Sequence, residues 1–121
     1  MTKIQNPKQY DLEERTYQFA KKSREFVRKI PRTLANIEDG KQLINSSGST
    51  AANYIEANET ISKKDFCHRI KICRKEAKES KLWLRLCDTV NNQELIKIQQ
   101  GLIQEATELT KIFGSILEKI K

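Results

Sequence analysis

Along this chain, apolar residues recur at spacings of three and four through four long stretches, with only short breaks between them. That spacing puts them on one face of an α-helix. Four such stripes, each needing a partner to bury it, predict an all-α chain. Short breaks favour antiparallel neighbours, hence an up-down-up-down four-helix bundle. The 121 residues suit one domain and leave little room for a second. Residues 1–10 read as an N-terminal tail.

The first helix is predicted from about Asp11 to Lys29. Leu12, Thr16, Phe19, Ser23, Phe26 and Ile30 form its stripe, widened by Ala20 and Val27. Asp11, Glu13 and Glu14 suit the positive end of its dipole, and Ile30-Pro31 ends it. The second starts near Thr33 or Asn36 and reaches about Glu59. Its expected core stripe is Leu43, Ile44, Ser47, Ala51, Tyr54 and Ile55. Gly40 and Gly48 each cost about 1 kcal/mol relative to Ala in a helix interior. The small residues from Ser46 to Ala52 point to close approach of a neighbouring helix; a break at Gly48 is the competing reading.

The third helix begins at Ser62, where Ser62 and Asp65 resemble a capping box, and runs to about Asp88. Phe66, Ile70, Cys73, Ala77, Ser80, Leu84 and Cys87 form its stripe. Asn91-Asn92 marks a turn. The fourth runs from about Gln93 to Ile120, with Leu95, Ile98, Leu102, Ala106, Leu109, Phe113, Ile116 and Ile120 facing the core. At 1.5 Å per residue a 25-residue helix is roughly 38 Å long, so the bundle should be a rod.

Composition narrows the setting. No apolar run approaches the roughly 20 residues of a membrane span, and the first ten residues carry no apolar stretch that reads as a signal peptide. Cys67, Cys73 and Cys87 are odd in number and share one helix, which fits reduced, space-filling thiols in a cytoplasmic protein. The net charge of +7 points toward acidic partners such as nucleic acid.

That charge is concentrated. Between Lys63 and Arg85 stand nine basic and three acidic residues. Lys63, Lys64, Lys71, Arg74, Lys75, Lys78, Lys81 and Arg85 fall within roughly one third of the helical wheel, with Glu76 and Glu79 expected elsewhere and Arg69 expected in an ion pair on the Glu76 side. Such a ridge is either a solvated face or a track for a phosphate backbone. Two further apolar strips exceed what one bundle needs. Ile96, Ile103, Thr110 and Leu117 lie beside the main stripe of the fourth helix. Ile72, Trp83 and Leu86 lie away from the core stripe of the third. Surplus apolar surface of this kind marks an interface, so Ile72, Trp83, Leu86, Ile96, Ile103 and Leu117 are expected to support self-association.

Chemistry is thin. No phosphate loop, dinucleotide fingerprint or nucleophile elbow is present. His68 is the lone histidine; Cys67 beside it faces another direction. Asp65-x-x-His68 would be half of a carboxylate–histidine metal site. Asn53 and Glu56 read as a packing pair. No cofactor, metal or catalytic residue is expected, and membrane-surface binding conflicts with burial of the third helix's apolar face.

The stretch Gln42 to Ala57, Gln-Leu-Ile-Asn-Ser-Ser-Gly-Ser-Thr-Ala-Ala-Asn-Tyr-Ile-Glu-Ala, resembles the central signature of the bacterial proteins encoded by intervening sequences in 23S ribosomal RNA genes. Ser62-Lys-Lys-Asp-Phe66, Lys75-Glu-Ala-Lys-Glu-Ser80 with Trp83-Leu84, and Leu12-Glu-Glu-Arg-Thr16 with Phe19-Ala20 are similar to its other blocks. Asn45 departs from it, where many members carry a basic residue, so no nucleic-acid contact is carried over there. The resemblance implies a four-helix bundle that assembles as a homopentamer, with kinship to the accessory proteins of diversity-generating retroelements, basic bundles that bind nucleic acid and a reverse transcriptase. No catalytic residue set comes with it. The combined expectation is a non-enzymatic, oligomeric protein that binds nucleic acid, RNA before DNA, through the basic ridge, with a reverse transcriptase or ribosomal component as a further partner. The alternative is a protein–protein scaffold that does not touch nucleic acid.

Overall fold

The computed structural model describes residues 12–120, so the expected N-terminal tail and Asp11 lie outside it. Four α-helices account for nearly all of these residues: α1 (Leu12–Lys29), α2 (Leu34–Asn58), α3 (Lys63–Leu86) and α4 (Gln93–Lys119). No strand occurs among the described residues. α2 is unbroken at Gly48. Each helix packs on its chain neighbours, and α1 meets α4 over the smallest contact, closing the ring. The diagonal helices α2 and α4 meet only across the core, where the tilted rings of Tyr54 and Phe113 have centroids 6.1 Å apart.

The helix starts follow capping chemistry. Thr33, Ser62 and Asn92 each have extended backbone, and each side chain accepts from the amide three residues on, satisfying a donor the helix leaves unpaired. Pro31 follows the last turn of α1, as its ring geometry requires.

Leu12, Thr16, Phe19, Ala20, Ser23 and Phe26 of α1 are all buried. So are Ile70, Cys73, Ala77, Ser80 and Leu84 of α3 and Leu95, Leu102, Ala106, Leu109 and Phe113 of α4. α2 corrects the sequence expectation. Its buried face is Asn36, Gly40, Leu43, Ser46, Ser47, Thr50, Tyr54 and Ala57, while Ile55 is 51% exposed. Small and hydroxyl-bearing residues mark this face, so apolar bulk points to the wrong side of the wheel. Close approach is real at Gly40, where an added Cβ would stand 2.8 Å from Val27 Cγ1 of α1.

Where α2 crosses α3, Ser46 Oγ and Ser80 Oγ are 2.8 Å apart and buried. Each hydroxyl can also donate to a carbonyl of its own helix, Ser80 to Glu76 and Ser46 to Leu43, so either can be the donor of the pair. Two amides fasten the end of the rod where α3 hands over to α4. Asn36 Nδ2 donates to the carbonyls of Pro31 and Asp88, and its Oδ1 accepts from the Asp88 amide. Gln99 Nε2 donates to the carbonyls of Leu84 and Cys87.

Candidate nucleic-acid interface

α3 carries the basic face. Its apolar stripe faces the core, α2 and α4 flank it, and the remaining third of its surface turns outward. Lys63, Lys64, Lys71, Arg74, Lys75, Lys78 and Arg85 are exposed there, and Lys81 is half-buried. Lys71, Arg74, Lys75 and Lys78 gather along a groove of about 520 Å³ between α3 and α4, with Leu117 opposite. The Arg74 guanidinium lies over Gly114 of α4, its Nε 3.7 Å from where a Cβ would sit.

Two sequence expectations are corrected. Glu79 lines the same groove, because its long side chain crosses the boundary a wheel draws. Glu76 is half-buried, and burial, helped by nearby Glu79, pushes its carboxyl up from the ordinary value. Arg69 makes its hydrogen bond to an amide: its Nη1 donates to Asn53 Oδ1 at 2.8 Å. Asn53 also donates to the carbonyl and hydroxyl of Ser49. Asn53 is thus a packing element between α2 and α3, while Glu56 stays exposed.

The residues expected at a subunit interface divide. Trp83, Ile103 and Leu117 pack partly against the chain's own core. Ile72 and Ile96 are half-buried, and Leu86 is 52% exposed. Leu82, 45% exposed, extends this apolar edge beside the ridge. It is legible in the sequence as an apolar residue standing among cations.

Two of the three thiols are buried. Burial pushes Cys73 up to about 12 and Cys87 to about 11, so both stay protonated at neutral pH. Among the described residues no group of three or more His, Cys, Asp or Glu side chains is arranged to hold a metal, and no helix is long and apolar enough to cross a membrane. A second groove, of about 700 Å³, runs between α1 and α4 over Phe19, Phe26, Ile98 and Leu102. Arg15 bridges its upper end, 2.7 Å from Glu105 and 3.1 Å from Glu108.

Fold and surface together define a closed four-helix bundle with one strongly basic outer helix. The chain belongs to the 23S rRNA-intervening sequence protein family, whose pattern matches residues 8–115. It is also similar to a solved protein of unknown function from the S23 ribosomal protein family of Bacteroides thetaiotaomicron. The two share 26% identity and a TM-score of 0.70, over 87% of this chain and 96% of the other. No curated protein matches the sequence.

Proposed function

We propose that this chain is a non-enzymatic, cytoplasmic RNA-binding accessory protein that grips phosphates through the outward face of α3. One observation carries the reading: seven cations stand exposed along one side of one helix, while the acidic residues of α3 number three. Coulombic attraction to a polyanion scales with the number of phosphates neutralised, and binding of this kind weakens steeply with salt. The association of the family with ribosomal RNA genes supports RNA over DNA. Assembly as a homopentamer would repeat the ridge and raise avidity without new contacts; the exposed edge of Leu82 and Leu86 and the half-buried Ile72 and Ile96 supply apolar surface for it.

The test is charge reversal of Lys71, Lys75 and Lys78 together, read by fluorescence anisotropy with folded RNA at several salt concentrations, on a sample of known mass. Affinity should fall at least 100-fold at low salt, with a flatter salt dependence. Unchanged affinity would retire the reading. A protein partner, such as a reverse transcriptase or a ribosomal component, captured independently of nuclease treatment would then favour the scaffold alternative, for which the same apolar edge is the surface.

A further inference from the structure

Four of the exposed cations stand at seven-residue intervals: Lys64, Lys71, Lys78 and Arg85. Seven residues are nearly two full helical turns, so successive side chains leave α3 about 20° apart in direction and about 10.5 Å apart along it, a drift of about 60° over about 31 Å from first to last. The row winds gently and is rigid, because α3 is one unbroken helix held on both sides by α2 and α4. The major groove of a paired RNA stem is too deep and narrow for side chains to read, so the row meets the phosphates that project from the stem's surface.

The row also lacks what single-strand binders use. Sequence-tolerant binding of single strands relies on aromatic side chains on which bases stack, worth about 1–3 kcal/mol per base. Between Lys63 and Arg85 the aromatic side chains are Phe66 and Trp83, both packed against the core, and the lone imidazole of His68. A single strand would have to be straightened along the row, with its chain entropy lost and no stacking in return. A duplex arrives already straight and stiff, with one charge per about 1.7 Å of axis. One helical turn of duplex, about 34 Å in B-form DNA and somewhat shorter in the A-form of an RNA stem, is close to the length of the row.

Building on the phosphate-gripping reading of α3, we propose that the ridge selects double-stranded nucleic acid, the paired stems of a folded RNA, over single strands. It lies along about one helical turn and touches phosphates of both strands without reading sequence.

The experiment compares 6-, 10- and 16-base-pair RNA duplexes, DNA duplexes of matching sequence, and the separate strands, across a salt series. Proteins compared are wild type, a row variant (Lys71→Glu with Lys78→Glu) and a charge-matched control off the ridge (Lys21→Glu with Lys111→Glu), each checked for helicity and thermal midpoint. Wild type should bind the 16-base-pair RNA duplex at least 10-fold tighter than either strand, with affinity climbing steeply to about 10 base pairs and slowly beyond. The row variant should flatten the duplex salt slope by about 2, since each phosphate contact contributes about 0.9. Single strands bound as tightly as duplex, with both weakened by the row variant, would overturn duplex selection and leave the phosphate-gripping reading standing. Row and control variants that weaken binding equally, or no binding at all, would overturn both. A duplex preference shared by RNA and DNA supports selection on pairing alone; one confined to RNA supports it with A-form shape as the added feature.

Discussion

Glycines in the middle of these helices do different work at the level of single residues. Gly40 is set by contact: its missing Cβ would press on Val27, a stiff β-branched side chain with little freedom to turn away. Gly101 meets no such limit, since nothing lies within 4 Å of where a Cβ would stand. Gly101→Ala should therefore stabilise the fold by about 1 kcal/mol, the helix-propensity difference. Gly40→Ala gains the same propensity but overpacks the α1–α2 contact, a fault of about 1–3 kcal/mol, so its net effect should be destabilising. Denaturant midpoints at constant m-value check both. If Gly40→Ala proved as stabilising as Gly101→Ala, the close approach would not be limiting.

For the elements, end chemistry matters as much as apolar stripes. Thr33, Ser62 and Asn92 were legible as starts because short polar side chains stood before apolar periodicity. Asn36 was legible only as a possible start of α2, and its larger role was hidden. It is 2% exposed and ties the α1–α2 connection to Asp88, the second residue after α3, fifty-two positions on. No local pattern announces a contact that remote. Asn36→Ala would leave part-buried backbone groups of Pro31 and Asp88 without their partner, at about 1–3 kcal/mol for an unsatisfied group. We expect a loss of about 1–2 kcal/mol in chemical denaturation. Asn36→Asp should also be damaging, because it lacks the amide donor that two carbonyls require. The loop so held includes Val90 and Asn91, both with positive φ, a conformation unfavourable for a β-branched residue.

Taken whole, the molecule shows why a sequence can reveal a bundle more readily than its surfaces. Helical periodicity alone separates the four helices and most of their core, since burial of apolar area is the main drive for folding. The misplacement of Ile55 comes from α2, where hydroxyls and glycine occupy the inner face. Glu79 and Arg69 show the same limit from another side: a wheel gives the direction of a Cβ, and long side chains reach past it. The ring of helices is also unevenly closed. α1 meets α4 least, with Arg15, Glu105 and Glu108 clamping one end. Hydrogen bonds from Gln104 and Arg15 hold the Glu108 carboxyl below its ordinary value. A carboxylate lowered in this way favours the folded state above its unfolded value of about 4.3, and that help is lost as the pH falls through its folded value. Arg15→Ala, which removes the clamp to Glu105 and Glu108, should raise amide hydrogen exchange in α1 before the other helices. Uniform exchange across all four helices would contradict this.

The hydroxyl pair at the crossing of α2 and α3 has a consequence for alignment. Purely greasy stripes tolerate a slide of one turn, about 5.4 Å, since one aliphatic contact replaces another of similar worth. Ser46 and Ser80 do not: shifted by a turn, each loses the other and keeps only the carbonyl of its own helix, a poorer set of partners for a polar group in a dry interior. The pair works like the ward of a lock, passing one setting of the two helices and refusing its neighbours. It thereby fixes where along the rod each cation of α3 stands relative to the rest of the molecule.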